Sequence, residues 1–313
     1  MNRRTAIRNL MIAGAASFLR HPLRADSPDR RLDFVIHSDV RLVLLDVSVK
    51  DHAGGWVSGL ARDDFRVDEN GAPQKITVFA NNDIPVTVGI LVDNSRSMGP
   101  KRSDVLAAAT TFIAASNPHD EIFVLNFNDT VSRGLPPDVP FSDDIRQLRA
   151  ALSRAFPEGR TALNDAVVDG LEQLKLGKRD KKTLIVISDG GDNASSHNRA
   201  GMLGLVERSL ATIYTIGLFD TGDLDRDPGI LKKLARMSGG VAYFPESAAA
   251  LTESCKSIAK DIRTRYTIGY PPPARNGGPL RRIRVHVSAP GHRGLIARTR
   301  LSYRYEETAN QKE

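Results

Sequence analysis

Four runs of almost unbroken apolar residues, separated by stretches of helical periodicity, constrain most strongly how this chain of 313 residues can fold. They are residues 85–93 (PVTVGILVD), 122–127 (IFVLNF), 183–188 (TLIVIS) and 212–218 (TIYTIGL). A strand with one wet face alternates polar and apolar residues. A strand with no polar face is covered on both sides, as parallel strands between helices are. Between the runs, Val105, Ala108, Ala109, Phe112 and Ile113 share one helical face. Leu163, Ala166, Val167, Gly170, Leu171 and Leu174 repeat with the helical period. Further helices are predicted over 198–209, 228–237 and 248–263, with a strand near 241–244. This alternation predicts an α/β fold over residues 84–263, an open, doubly wound, mostly parallel Rossmann-like sheet.

The flanks follow a different rule. In residues 33–83, Leu45, Val47 and Val49 alternate with Asp46, Ser48 and Lys50, as in a half-buried strand. Phe65 and Val67 alternate again, and Asn70-Gly71 before residues 76–79 (ITVF) reads as a hairpin turn. In residues 264–306, Tyr266, Ile268 and Tyr270 alternate, as do Ile283, Val285 and Val287, and then Leu301, Tyr303 and Tyr305. Residues 271–280 (PPPARNGGPL) are a loop. Each flank is small for a core of its own. The two are expected to pair into one β-sandwich with the α/β domain inserted between them. Arg281, Arg282 and Arg284 are expected on the outward face of a strand, the run 178–182 (KRDKK) in a solvated loop, and Trp56 in packing of the β part.

Charge has to be divided before it is interpreted. The formal net charge is +7, but residues 1–25 hold five arginines and no acid, which leaves 39 basic against 37 acidic residues. The basic excess therefore argues little for nucleic-acid binding. Residues 1–25 have the layout of an export signal: a basic start, a short apolar run (residues 10–19, LMIAGAASFL) and a small residue, Ala25. Arg3-Arg4 resembles a twin-arginine signal. The expectation is an exported protein, periplasmic or secreted, with no permanent membrane span in the mature chain. One cysteine, Cys255, excludes an internal disulfide and any multi-cysteine metal site.

The chemistry concentrates at strand ends. The first run closes in Asp93-Asn94-Ser95-Arg96-Ser97, the third in Asp189-Gly190-Gly191, and Thr161 stands just before the helix at 162. In open α/β sheets, ligands bind at the carboxyl ends of the strands. Carboxylates and hydroxyls are hard oxygen donors, suited to Mg²⁺, Ca²⁺ or Mn²⁺ and not to zinc or copper. Taken singly, each has a plainer reading. DxSxS caps the next helix, Asp189 makes an Asx turn, or Thr161 is an N-cap.

At these residues the chain resembles the von Willebrand factor type A family. The family pattern of DxSxS, a later Thr and a later Asp falls on Asp93, Ser95, Ser97, Thr161 and Asp189. The resemblance covers residues 84–263. It implies a metal-ion-dependent adhesion site holding a divalent cation, Mg²⁺ first with Mn²⁺ or Ca²⁺ as alternatives. It also implies a protein partner that offers an Asp or Glu to that cation. The flanks resemble a narrower group of exported bacterial VWFA-related proteins. One position departs from the pattern: the family usually has Gly between the two serines, and here it is Arg96.

The function expected from this reading is an exported, cation-dependent protein-binding module, not an enzyme. One alternative is a metal-dependent phosphohydrolase using Asp93 as nucleophile. Another is a structural envelope protein whose metal site is vestigial because of Arg96. No GxSxG elbow, P-loop, dinucleotide fingerprint or HExxH is present. His197, eight residues beyond Asp189, is read as a surface loop histidine.

Overall fold

The computed structural model describes residues 42–219, 225–273 and 278–305. The predicted leader, residues 33–41 and residue 306 lie outside the described residues. The first flank supplies β1 (Val43–Lys50), β2 (Phe65–Glu69), β3 (Ala72–Gln74) and β4 (Val78–Ala80). The central region follows as β5 (Val86–Asp93), α1 (Arg102–Ala114), β6 (Glu121–Phe127), β7 (Val131–Arg133), α2 (Ile145–Ser153) and α3 (Leu163–Lys175). It continues through β8 (Lys181–Ser188), α4 (Arg199–Arg208), β9 (Thr212–Gly217), α5 (Pro228–Ser238), β10 (Ala242–Tyr243) and α6 (Ala248–Arg263). The second flank adds β11 (Tyr266–Tyr270), β12 (Leu280–Val287), β13 (Ile296–Arg298) and β14 (Ser302–Arg304).

The central sheet has the order β10-β9-β8-β5-β6-β7, parallel except for the edge strand β7. Helices α1, α2 and α6 pack together, as do α3, α4 and α5. Every residue of β5 is buried, as its continuous apolar run requires. The chain leaves β5 toward β6 on one side and returns to β8 on the other. The loops after β5 and β8 therefore face each other at the point where strand order reverses, the crevice where such sheets bind ligands. Among the described residues no helix is long and apolar enough to cross a membrane.

The flanks form two four-stranded antiparallel sheets, β13-β1-β11-β4 and β14-β12-β2-β3, each mixing strands from both chain ends. Leu45, Val47, Phe65, Val67, Tyr266, Ile268 and Ile283 fill the space between them. Val43 to Val67 and Tyr266 to Tyr303 contribute to this one cluster, so each flank buries its apolar face against the other.

Three expectations are corrected and a fourth, for Trp56, is extended. The Asn70-Gly71 turn, with φ of 50° and 84°, closes onto Ala72–Gln74. The chain then crosses to the other sheet, where residues 78–80 pair with β11. Arg281 points inward, because it shares the parity of Ile283 on β12. It is 1% exposed and pairs at 2.8 Å with the equally buried Glu69. The basic run is not wholly solvated. Lys181 is buried at the start of β8, 3.7 Å from Asp46. Trp56 does more than pack, since its indole N–H donates to Asp261 of α6 at 3.0 Å. Helix α2 and the short strands β7 and β13 had no clear signature in the sequence.

Candidate functional site

Strand β5 ends at Asp93, level with Ser188 at the end of β8, because Val92 pairs with Ile187. That register lets the Ser188 hydroxyl donate to Asp93 Oδ2 at 2.6 Å. The other oxygen, Asp93 Oδ1, accepts the Ser95 backbone N–H at 2.8 Å, an Asx turn that reverses the chain. The turn delivers Ser95 and Ser97, whose hydroxyl oxygens lie 3.1 Å apart. The Ser97 hydroxyl donates to Asp189 Oδ2 at 2.6 Å, joining the two loops across the crevice. Asp189 Oδ1 accepts the Gly191 N–H at 2.9 Å. The Asx-turn reading of Asp189 is thus correct for one oxygen, while the other faces Ser97.

Gly190 makes this second loop possible. Its φ is +84°, and a Cβ there would stand 2.3 Å from the Asp227 carbonyl oxygen. Only glycine fits both demands.

Thr161 arrives by its backbone. Its N–H donates to Asn193 Oδ1 at 2.9 Å, and its carbonyl accepts the N–H groups of Asn193 and Ala194 at 2.9 and 3.0 Å. The preceding residues are tied to the first loop, with Glu158 N–H on the Asn94 carbonyl at 2.9 Å and Arg96 N–H on the Gly159 carbonyl at 3.3 Å. Thr161 therefore sits between the other two loops and is buried. The cap of α3 is Ala162, so Thr161 is not its N-cap. Hydrogen bonds join the side chains of Ser95, Ser97 and Asp189, and the Asx turn adds Asp93. None joins the Thr161 hydroxyl to these four.

The electrostatics are lopsided. Burial pushes the Asp93 carboxyl up to about 7, against the bonds from Ser188 and Ser95, and the like charge of Asp189 adds to the rise. Among the described residues no Lys, Arg or His pairs with either carboxylate. Arg102, beside the first loop, is spent on Asn94 Oδ1 at 2.7 Å and the Ser153 carbonyl at 2.9 Å. Two buried carboxylates without a counter-charge, lined by hydroxyls, suit a hard divalent cation. The donor set is short of the three or more His, Cys, Asp or Glu of an all-protein metal cluster, and none occurs among the described residues.

Residues not singled out from the sequence support this rim. Ser188 is the last residue of its run and binds Asp93. Asn94 bonds Asn126 at 3.0 Å, fixing the ends of β5 and β6. Asn193 holds Thr161. Beside them, Asp192 accepts from Asn164 and Ser195, and Asp165 accepts from Ser196 and His197. Burial opposes ionisation of Asp165, but the N–H groups of Ser196 and His197 outweigh it and hold its carboxyl below the usual range. His197 is an exposed loop histidine, 2.7 Å from Asp165.

The family model of the von Willebrand factor type A domain matches residues 88–191, a span containing all five candidate residues. No curated protein matches the chain. Among solved structures, a von Willebrand factor type A protein from Catenulispora acidiphila is 14% identical with a TM-score of 0.51, over 84% of this chain and 74% of that one. The vWF domain of the type V pili tip protein Mfa5 from Porphyromonas gingivalis is 15% identical with a TM-score of 0.47, over 57% and 97%. An aerotolerance-related membrane protein from Bacteroides fragilis is 16% identical with a TM-score of 0.44, over 56% and 98%. Residues 88–191 thus match the von Willebrand factor type A domain model, and the α/β layer that holds them has that fold, carried by a β-sandwich made from the chain's own flanks.

Proposed function

We propose that this protein is an exported, non-enzymatic binding module that captures an acidic residue of a protein partner through a divalent cation, Mg²⁺ first. Asp93, Ser95, Ser97, Thr161 and Asp189 would hold the ion, directly or through water. The observation that carries the reading is the Ser97–Asp189 bond across the crevice. It draws the loops of Asp93 and Asp189 together, with the hydroxyls of Ser95 and Ser97 between the two carboxylates. Once bound, the cation would supply a positive centre, in a partly dry cleft, that a partner carboxylate can complete. The chain's own residues do the rest. Ser188 and the Ser95 N–H orient Asp93, Gly191 orients Asp189, and Asn193 holds the Thr161 loop against both.

The same geometry weighs against Asp93 as a phosphohydrolase nucleophile. Asp93 is 2% exposed, which leaves a bulky phosphoryl group far less room to approach it in line than a single ion or water. Export rests on the arrangement of residues 1–25 alone, and fractionation of cells expressing the full chain tests it. Isothermal calorimetry with Mg²⁺ and Mn²⁺ tests the cation. Uptake by wild type and its loss in Asp93→Ala are expected. No uptake, or equal uptake by the variant, would overturn the proposal.

A further inference from the structure

The side chain that departs from the family pattern, Arg96, stands at the mouth of this rim. Its backbone is held to the Gly159 carbonyl, between the buried Ser95 and the half-buried Ser97, while its side chain is exposed. Among the described residues its guanidinium makes no ion pair or hydrogen bond. The neighbouring Arg160 differs, being committed to Asp129 at 2.9 Å and to the Asn193 carbonyl. Beside the same turn, a Cβ at Gly99 would lie 3.6 Å from Pro157. Next to Pro157, Phe156 is 74% exposed, with the Arg102 guanidinium 5.6 Å from its ring centre. An unpaired guanidinium thus stands on the loop that carries Ser95 and Ser97, and an exposed aromatic ring on the segment packed beside that loop, a combination enriched in protein interfaces.

We propose that Arg96 is a second acid receptor and a specificity-determining residue. On this view the partner segment carries two acidic residues, one for the cation seat and one for Arg96. This rests on the reading in the preceding subsection. The physical reason is charge economy. A lone guanidinium beside a bound cation repels it, and a second partner carboxylate removes that repulsion while gaining a forked, charge-assisted pair. A partner with a single acid leaves the repulsion in place. Arg96 therefore weakens bare cation uptake and rewards a diacidic partner, two effects of opposite sign at one position.

The test uses the full-length protein and capped synthetic peptides in Mg²⁺. One peptide holds a single aspartate in a glycine–serine background. The others hold two aspartates, one to four residues apart. At least one diacidic spacing should bind wild type about three- to tenfold tighter than the single-acid peptide, the range of one exposed to well-formed Arg–carboxylate pair. In Arg96→Ala that advantage should vanish while Mg²⁺ uptake becomes tighter. Arg96→Lys, which keeps the charge but loses the fork, should retain part of it. An advantage that persists in Arg96→Ala overturns the proposal, as does the absence of any advantage at every spacing. If wild type takes up no cation, the cation reading fails by itself, and the same peptides are compared in chelator. An Arg96-dependent preference there keeps the acid receptor, and its absence overturns both.

Discussion

Two buried aspartates in this chain are handled in opposite ways. At the rim, Asp93 is 2% exposed, feels the like charge of Asp189 and, among the described residues, pairs with no cationic side chain. At the junction of α6 with the sandwich, Asp261 is fully buried and surrounded by partners from four parts of the chain. Arg265 lies 3.1 Å away and Arg298 2.7 Å, Ser48 donates at 2.5 Å, Trp56 donates through its indole, and Tyr214 adds its hydroxyl. Burial opposes ionisation of Asp261, but Arg265 and Arg298 outweigh it, helped by Ser48 and Tyr214, and hold its carboxyl below the usual range. One carboxylate is therefore neutralised from within, and it ties the last helix of the α/β domain to β1 and β13. The other has no counter-charge of that kind among the described residues. Buried groups with strongly perturbed titration concentrate at functional sites, so the contrast sets a structural carboxylate apart from one proposed to bind.

The contrast breaks first at Asp261. Asp261→Asn leaves the buried Arg265 and the half-buried Arg298 without their carboxylate and should cost about 3–5 kcal/mol in urea unfolding, as for a broken buried ion pair. Because the folded-state pKa of Asp261 is depressed, its contribution is present above the unfolded-state value and lost as pH falls. The gap between wild type and Asp261→Asn should therefore narrow below about pH 4. A gap that stayed constant down to acid would mean the group acts by shape and not by charge.

Cation addition comes next in size. Mg²⁺ at about 100 times its dissociation constant should raise the stability of wild type by about 2.7 kcal/mol, read as a shift of the urea midpoint, and leave Asp93→Ala unmoved. The same addition should move Asp261→Asn as much as wild type, since the two carboxylates share no partner. Trp56→Phe is smaller. It removes one N–H bond to a charged oxygen and keeps a ring beside Lys50 and Lys260, so about 1–2 kcal/mol is expected.

The two sites were unequally legible. The rim could be read because its donors sit at strand ends, where a period change and a short motif coincide. Asp93 and Asp189 close two of the four apolar runs, and parallel sheets put such ends on one edge. What joins Thr161 to that edge is its backbone on Asn193, which no side-chain motif announces. The junction could not be read. Asp261 flanks the stripe of Leu251, Cys255, Ile258 and Ile262, and a charged residue at the margin of a helical stripe is ordinarily solvated. Arg265, four residues on, was a hint, but Arg298, Ser48 and Trp56 meet it only after both flanks have folded. Arg281 was misplaced for a related reason. Three arginines in four residues suggested a polar face, yet the parity of Ile283, Val285 and Val287 already assigned Arg281 inward, where Glu69, Tyr270 and Tyr303 form the matching acid site.

The smallest expected effect tests the comparison most sharply. Asp93→Asn keeps the shape of the side chain and removes a charge that no cationic side chain among the described residues pairs with. In chelator, the loss of a bond to Ser188 or to the Ser95 N–H is offset by relief of desolvation and of repulsion from Asp189. The urea midpoint of Asp93→Asn should therefore lie within about 1 kcal/mol of wild type, or above it, while Mg²⁺ no longer shifts it. A loss of several kcal/mol in chelator would place Asp93 in the same class as Asp261, a carboxylate the fold needs for itself. The argument that its charge is reserved for an external cation would then fail.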